Sequence, residues 1–475
     1  MPTPIHSLQL FLLSAILTFL VSCGGGGDGQ VAEGGIGGTG VSQGRVTGYG
    51  SVFVNGIEYE TDQAEFLVDG RSATQQDIAV GMVVRIDGST NPDGTTGDAY
   101  QVTYSSQIIG VIEANRISAD SALDVMGQIV DVDPDTVFDN PLDATPLESL
   151  PVNAVVEVSG FTDGGGEILA TRIAVRSLAW SGETLRVTGL ALTPSDTTFN
   201  IGQLLVSLNA SMTMPSEGAL VTVTGSRFSG SAFEAESLEI LGQGPTPVAD
   251  DGESVEIEGR ITSALDAQDR FAVDGLWVDA SATEYSGSTD RLTEGRIVKV
   301  KGEMQDSILV ATQIELRYEE DSVRGEMAGG IDSRLIDAQV NTLVLLGQTI
   351  QVTSSTILES DLEDESSFSL AELNDTDYLK ARVYTRDGML IASKLERRRS
   401  PRDYSGEIEG PAEPVDANTI RVFGVTVDVS GVSYTATSGR VDVRGDYLDG
   451  VLVASHIEQE EDESDGDGDH DDDDD

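Results

Sequence analysis

One phrase recurs six times between residues 44 and 457, and this repetition limits the folds that the chain can adopt. Each copy opens with a glycine, passes through a short apolar segment and an alternating segment, and closes with an aliphatic segment. The openings lie at Gly44, Gly110, Gly189, Gly259, Gly325 and Gly406. Their spacing of 66 to 81 residues is too long for one solenoid coil or propeller blade and fits one small domain.

The alternating segment is the clearest indicator of secondary structure. In residues 297–301, Ile-Val-Lys-Val-Lys, a strand places both lysines on its outer face. The segment ends in glycine in every repeat but the fifth, at Gly88, Gly160, Gly225, Gly302 and Gly445. Each repeat offers about five short strands and no amphipathic helix, and pairs such as Asn55-Gly56 mark tight turns. The sequence therefore predicts an all-β chain.

Five short strands per repeat favour a small antiparallel barrel. A closed barrel removes the unpaired edges that would otherwise make an array of β domains polymerise. We therefore predict a tandem array of about six five-stranded barrels of the OB-like type, with an open sandwich as the alternative. Because a domain this small buries only about 60% of its unfolded surface, neighbouring repeats are expected to support one another.

The amino terminus carries a sorting signal. The apolar run Leu10–Val21 is too short to span a bilayer and suits the central region of a secretory signal. It leads into Leu20-Val21-Ser22-Cys23, which resembles the signal of bacterial lipoproteins, although Lys and Arg are missing before it. The alternative is a buried hydrophobic helix with an inert cysteine. The resemblance implies that Cys23, the only cysteine, is lipidated and that residues 1–22 are removed.

The same resemblance implies a location. Several acyl chains anchor a protein stably to a membrane. Gly24 rather than Asp follows Cys23, which in such signals points to the outer membrane of a Gram-negative cell, facing either the periplasm or the surface. The membrane is therefore the first expected partner, reached through the N-terminal lipid.

Low-complexity segments flank the repeats. Residues 23–43 are rich in glycine and predict a flexible tether, and the GxGxxG match at 35–40 lacks the strand and helix of a dinucleotide site. Residues 458–475 hold 13 acids and no Lys or Arg, which predicts a disordered tail. Asp465, Asp467 and Asp469 have the spacing of a calcium loop, but His470 replaces its glycine and no Glu follows. We expect weak Ca²⁺ attraction there and no defined metal site or cofactor.

The expected organisation is a signal peptide, a tether, six repeats and a tail. The signal peptide covers residues 1–22 and the tether residues 23–43. The six repeats cover residues 44–109, 110–182, 183–244, 253–321, 322–400 and 404–457, and the tail covers residues 458–475.

Composition excludes several functions. The chain has 28 Lys and Arg against 82 Asp and Glu, a net charge of −54, which argues against a nucleic-acid partner. One cysteine and three histidines exclude a disulfide scaffold, a Cys-rich zinc site and a histidine-based triad, and His456 is expected to be a surface strand residue. We predict no catalytic residues and no enzyme activity, keeping a carboxylate-dependent glycan hydrolase as an alternative because acids are abundant.

Four other features of the sequence are candidate binding sites. Asp131-Val-Asp-Pro-Asp135 is interpreted as a strand end and turn rather than a metal site. Arg397-Arg398-Arg399 with Arg402 is interpreted as a linker docked on acidic faces, with an anionic glycan or lipid contact as the alternative. Trp180 and Trp277 could line a sugar surface, but we expect Trp277 to be in a core because it lies in an alternating strand.

Two segments allow a family resemblance to be stated. The first segment is Gly34–Gly40 followed by residues 44–56, Gly-Arg-Val-Thr-Gly-Tyr-Gly-Ser-Val-Phe-Val-Asn-Gly, and the second is the fourth repeat from Val255 to Ile314. Both resemble the bacterial domain-of-unknown-function 5666 family. The resemblance covers most of residues 34–457 in tandem copies and implies a secreted or lipid-anchored β-rich module. It implies no catalytic or binding residues.

These features together predict a cell-envelope lipoprotein. Its β domains are expected to act as a non-catalytic scaffold or binding module, with a glycan or protein as an unidentified partner. The alternative is a periplasmic or surface protein that binds divalent cations through its acidic tail.

Overall fold

Strand follows strand along the described chain, as the alternating pattern predicts. The computed structural model describes residues 38–459 except 49–50, 93, 143–144, 164, 231, 244–248, 284–291, 318–322, 338–340, 363–367, 387 and 436–437. Within these residues lie 34 strands and a single four-residue α-helix. The prediction of an all-β fold is confirmed.

The strands fall into six groups that correspond to the repeats. Repeat 1 contains β1 Gly38–Gly48, β2 Val52–Val54, β3 Ile57–Glu60, β4 Glu65–Val68, β5 Arg71–Ala73, β6 Val83–Thr90 and β7 Thr96–Tyr104. Repeat 2 contains β8 Ile108–Asn115, helix α1 Ile117–Asp120, β9 Ala122–Val125, β10 Gln128–Asp139, β11 Val155–Thr162 and β12 Glu167–Ser177. Repeat 3 contains β13 Leu185–Leu190, β14 Thr198–Ile201, β15 Leu204–Ser207, β16 Ala219–Gly225, β17 Arg227–Ser229, β18 Ala232–Glu234 and β19 Ser237–Gln243.

The second half of the chain follows the same plan. Repeat 4 contains β20 Ser254–Ser263, β21 Arg270–Val273, β22 Leu276–Asp279, β23 Ile297–Gln305 and β24 Ile308–Leu316. Repeat 5 contains β25 Arg324–Gly330, β26 Thr342–Leu345, β27 Gln348–Ser360, β28 Tyr378–Arg386 and β29 Met389–Arg398. Repeat 6 contains β30 Gly406–Asp416, β31 Thr419–Val422, β32 Val425–Asp428, β33 Gly439–Leu448 and β34 Val451–Gln459. Single 3-10 turns lie at Gln75–Asp77, Leu147–Ser149, Ser333–Leu335 and Leu370–Glu372.

Pairing within a repeat gives the ring of an OB-like barrel. In repeat 2, β8 pairs with β9, β9 with β10, β10 in parallel with β12, β12 with β11, and β11 with β8. Repeats 4 and 6 close in the same order, and repeat 1 does so with β4 and β5 added as an outer hairpin. The predicted barrel type is confirmed, and its third and fifth strands are parallel.

The rings of repeats 3 and 5 are open between their first and second strands. In repeat 3 an isolated bridge from Leu192 to Asn200 takes the place of a ladder. In repeat 5, the described strands β25 and β26 have no ladder between them. In both repeats, as in the closed ones, the first strand also pairs with another repeat, so these two rings are nearly closed rather than closed.

First strands join the barrels in pairs. β8 of repeat 2 pairs with β13 of repeat 3, and β25 of repeat 5 pairs with β30 of repeat 6, both antiparallel. β1 of repeat 1 pairs in parallel with β20 of repeat 4, where residues 40–43 face residues 254–257. Repeats 2 and 3 share one hydrophobic core, and so do repeats 5 and 6. The array is therefore not a simple string, because repeat 1 pairs with repeat 4.

The pair of repeats 2 and 3 and the pair of repeats 5 and 6 contain the same type of contact. Each has a glutamine directly after a tight turn, Gln128 and Gln348, and each glutamine lies against the turn glycine of the partner repeat, Gly202 and Gly424. Gln128 Nε2 also donates a hydrogen bond to the Ile201 carbonyl at 2.6 Å. The two pairs are therefore built alike.

The predicted tether ends earlier than residue 43. β1 begins at Gly38, and residues 38–45 pair with β6 while residues 40–43 also pair with β20. Val41 is buried in the core of repeat 4. Polar and glycine-rich composition suggested a tether, but a strand paired on both edges is stabilised by backbone hydrogen bonds that composition does not reveal.

The glycine at the end of the alternating strand lies at a β-bulge. The register between the fourth and fifth strands shifts at Gly88, Gly160, Gly302 and Gly445. A Cβ at any of these glycines would lie within 3.0 Å of a carbonyl oxygen on the fifth strand. Bulges bend a strand and increase its twist, which a five-stranded ring needs in order to close.

We expect Gly302→Ala to destabilise the protein by about 1–3 kcal/mol, because the new methyl group forces the backbone at Val310 to shift. Gly330→Ala is the matched control, since its Cβ would meet no atom within 4 Å. Urea unfolding followed by circular dichroism measures both. Equal midpoints for the two variants would contradict the assigned role of Gly302.

Candidate functional site

A buried ion pair joins repeat 2 to repeat 4. The Asp135 carboxylate Oδ2 accepts a hydrogen bond from Arg317 Nη2 at 3.0 Å, and the two side chains are 6% and 5% exposed. Asp135 lies in the middle of β10, and Arg317 directly follows β24. A charge removed from water this completely needs a partner, and each residue supplies one to the other.

Repeat 5 contacts the same segment. Ser393 Oγ donates to Asp135 Oδ1 at 2.7 Å, and the Arg382 guanidinium donates to the Pro134 carbonyl. Arg382 is itself held by Glu326, whose Oε1 lies 2.7 Å from Arg382 Nε. We call this meeting point of repeats 2, 4 and 5 the charged junction.

The local sequence explains why β10 bulges at the junction. Its register against β12 shifts between Val132 and Val137. Inside this interval Asp133 Oδ1 accepts the Asp135 backbone N–H at 2.9 Å, and Thr136 Oγ1 donates to the Ala170 carbonyl at 2.8 Å. The sequence predicted a strand end and turn at residues 131–135, but β10 continues through them with a bulge that brings Asp135 to its partners.

Electrostatics keep Asp135 ionised. Burial favours the neutral form, but the positive charges of Arg317 and Arg45, with the Ser393 hydrogen bond, outweigh it and lower the pKa of Asp135 below its usual value. A carboxylate that is ionised and fully engaged by donors is a poor proton acceptor. The charged junction therefore acts as a clamp between repeats.

A cavity of about 280 Å³ borders the junction. Three arginines line it together with acids, and the arginines are engaged locally. Arg440 Nη2 lies 2.6 Å from Glu409 Oε1, and Arg440 Nη1 donates to the Arg324 carbonyl at 2.8 Å. Arg382 and Arg440, two of the three arginines, are therefore paired with acids of the cavity wall, Glu326 and Glu409.

A second buried cluster joins repeats 1 and 4. Arg45 Nε lies 3.4 Å from Glu258 Oε1, with the two side chains almost fully buried. Asn55, in the tight turn after β2, donates through Nδ2 to Ser42 Oγ, the Gln43 carbonyl and the Glu256 carbonyl at 3.0–3.2 Å. The Asn55-Gly56 pair predicted the turn, whereas the hydrogen bonds of the Asn55 side chain were not predicted.

Several predicted site residues lie outside the described residues. Cys23, the lipidation candidate, precedes residue 38, and Asp465, Asp467 and Asp469 follow residue 459. Their roles remain predictions. Among the described residues, no three His, Cys, Asp or Glu side chains are grouped so that they could hold a metal ion. That part of the chain also lacks any helix long and apolar enough to cross a membrane.

The tryptophan prediction was wrong in one case. Trp277 is 40% exposed on β22, while its neighbours Leu276 and Val278 point into the barrel. Alternation was the right pattern, but it places Trp277 on the outer face. Trp180 is half-buried, and its ring meets the edge of Phe228 at a centroid distance of 6.4 Å.

Of the arginine cluster, Arg397 and Arg398 end β29, whereas Arg399 and Arg402 lie in the segment between β29 and β30. Arg397 Nη2 lies 2.8 Å from Asp377 Oδ1, and Arg398 Nε lies 3.1 Å from Glu396 Oε1. These contacts agree with docking on acidic faces. His456 is an exposed strand residue whose Nε2 lies 3.0 Å from Glu458 Oε1.

One carboxyl pair is close enough to share a proton. Partial burial and the adjacent Glu396 carboxylate raise the pKa of Asp361 to about 6. Arg398 lies beside both carboxyl groups.

We expect Asp135→Asn to destabilise the protein by about 3–5 kcal/mol at pH 7, because it leaves the Arg317 charge buried without its partner. The folded-state pKa of Asp135 is lowered, so its contribution is complete above the unfolded pKa near 3.9 and is lost as pH falls through the folded value. The difference from wild type in urea midpoint should therefore shrink in acid.

Glu234→Gln is the control for this prediction. The Arg227–Glu234 pair is 73% and 61% exposed, so breaking it should change stability by less than about 1 kcal/mol. An Asp135→Asn variant as stable as Glu234→Gln would contradict the clamp.

Comparison with known proteins identifies the repeats. The model of the family described as domain of unknown function (DUF5666) matches residues 41–99, 109–174, 258–315 and 328–396. These are repeats 1, 2, 4 and 5, whereas repeats 3 and 6 share the strand order without a match. No curated protein and no solved structure matches the chain. The four matches span more than half of its 475 residues, so the chain belongs to the DUF5666 family.

Proposed function

We propose that this protein is a lipid-anchored lipoprotein of the outer membrane whose joined β barrels act as a non-catalytic scaffold or binding module. The observation that carries the proposal is the pairing of first strands across repeats. Backbone ladders between domains fix their relative positions, as a scaffold requires.

The buried polar contacts support the same interpretation. Arg45–Glu258 joins repeats 1 and 4, Asp135–Arg317 joins repeats 2 and 4, and Ser393 joins repeats 2 and 5. Ion pairs of this kind are costly to break once buried, and they specify which surfaces meet. They hold domains in place and leave the outer surfaces available to ligands.

Charge fits a position in the cell envelope. Acids outnumber bases by 54, which keeps such a protein soluble and separate from polyanions. The apolar run before Cys23 supports export and lipid attachment. The Gly-rich segment that follows would separate the barrels from the bilayer.

We expect the full-length protein to incorporate labelled palmitate in a Gram-negative host and to fractionate with the outer membrane. Cys23→Ser should abolish the label, because the thiol is the acylated group. Ser22→Ala is the control, since a small residue is kept beside the cysteine. Equal labelling of wild type and Cys23→Ser would refute the anchor.

Divalent cation binding is the second candidate, favoured by the 13 acids of residues 458–475. Calorimetric titration of Ca²⁺ into the full chain and into a chain ending at Gln459 distinguishes it, since β34 ends at that residue. Binding with defined stoichiometry that is lost on shortening would support the cation function. Weak heats with no saturation in either protein would remove it.

A further inference from the structure

An exposed tryptophan lies on the outer face of repeat 4. β21 and β22 form a hairpin in which Phe271 pairs with Val278 inside the barrel, both fully buried. Ala272 pairs with Trp277 on the opposite face. The chain has only two tryptophans, and this one leaves 40% of its surface in water, a position that costs free energy unless something covers it.

Aliphatic side chains extend the face beside the indole. β22 pairs in parallel with β24, so that Asp279 faces Val310. Ile308 and Val310 are half-exposed and alternate with the buried Leu309, which places both on the outer face next to Trp277. The neighbour on the other strand of the hairpin, Ala272, is small and buried. Trp277, Ile308 and Val310 together form what we call the Trp277 platform.

Polar groups border the platform. Arg270 and Asp279 face each other across the hairpin, with Arg270 Nε 3.8 Å from Asp279 Oδ2. Asp279 Oδ1 accepts the Ser281 backbone N–H at 3.0 Å, which fixes the carboxylate. Hydrogen bonds from Ser281 lower the pKa of Asp279, so the group is an acceptor at neutral pH. Gln305, exposed and paired with Ile308, supplies an amide on the other side.

We propose that the Trp277 platform binds a neutral oligosaccharide. A sugar ring presents C–H groups on its faces and hydroxyl groups around its edge, which matches an indole face bordered by a carboxylate, a guanidinium and an amide. The protein's charge of −54 disfavours an anionic glycan, so we specify a neutral one. The proposal rests on the binding-module function and names the class of ligand.

The contacts assign separate roles to the residues. The indole supplies most of the contact area, as tryptophan does at many binding hot spots. Asp279 and Arg270 bind hydroxyl groups and set the orientation of the ring. Their loss should weaken binding less than loss of the indole.

Intrinsic fluorescence tests the platform directly. Trp180→Phe leaves Trp277 as the only tryptophan, and its emission is followed while neutral hexasaccharides of β-linked glucose, mannose and xylose are added. We expect a saturable change with at least one of them. In calorimetry on the full chain, Trp277→Ala should weaken that binding at least tenfold and Asp279→Asn several-fold.

Two controls make the result specific. Tyr100→Ala removes an aromatic residue that is 54% exposed on repeat 1 and should leave the affinity unchanged. Oligogalacturonate, which is anionic, should not bind. Trp277→Ala, Asp279→Asn and Tyr100→Ala should keep an unfolding midpoint close to that of wild type, because these side chains lie outside the core. Trp180 packs against the core of repeats 2 and 3, so the fold of Trp180→Phe is checked by circular dichroism before it is used.

Two results would overturn the proposal. The first is the absence of saturable binding by every neutral hexasaccharide at millimolar concentration. The second is self-association of the purified protein that Trp277→Ala abolishes, which would make the platform a protein contact. Neither result affects palmitate labelling of Cys23, so failure of this proposal is distinguishable from failure of the lipid anchor.

Discussion

The architecture depends on the unpaired edge of each first strand. In an OB-like ring the first strand bends between two neighbours, and part of its backbone has a partner on one side only. Exposed strand edges promote uncontrolled association. Here each edge pairs with the first strand of another repeat, which converts an aggregation risk into a specific joint. The same pairing occurs in the closed rings of repeats 1, 2, 4 and 6 and in the open rings of repeats 3 and 5.

Charge has two distinct roles in this molecule. On the surface, an excess of acids keeps a large assembly of β domains soluble. Inside, arginines bind acids across the boundaries between repeats, as Arg317 binds Asp135 and Arg45 binds Glu258. Buried ion pairs contribute less net stability than their Coulomb energy suggests. However, if the wrong repeats packed together, a buried charge would have no partner, which is strongly destabilising. These contacts therefore favour one arrangement of repeats over the alternatives.

Local pattern predicted much of the fold, and tertiary context decided the rest. Alternation and glycine spacing identified the strands, because a strand's side chains alternate between its two faces, whereas the bulge at Gly302 was not predicted. The strand at residues 38–43 was missed because its partners lie in β6 and β20, far along the sequence. Residues 131–135 were predicted to form a strand end and turn but lie within β10, and the ion pair of Asp135 spans 182 positions and leaves no local signal. Alternation could not tell which face of β22 is inside, and Trp277 was therefore misplaced.

The order in which the barrels join divides the chain into two blocks of three repeats. Repeats 1, 2 and 3 open at residues 44, 110 and 189, and openings recur about 215 positions later at 259, 325 and 406. In each block of three, the first strands of the second and third barrels pair with each other. The first strand of the leading barrel has no such partner within its own block. The two leading barrels then meet through β1 and β20. The chain therefore has the arrangement of a dimer of three-barrel blocks in which one polypeptide carries both blocks.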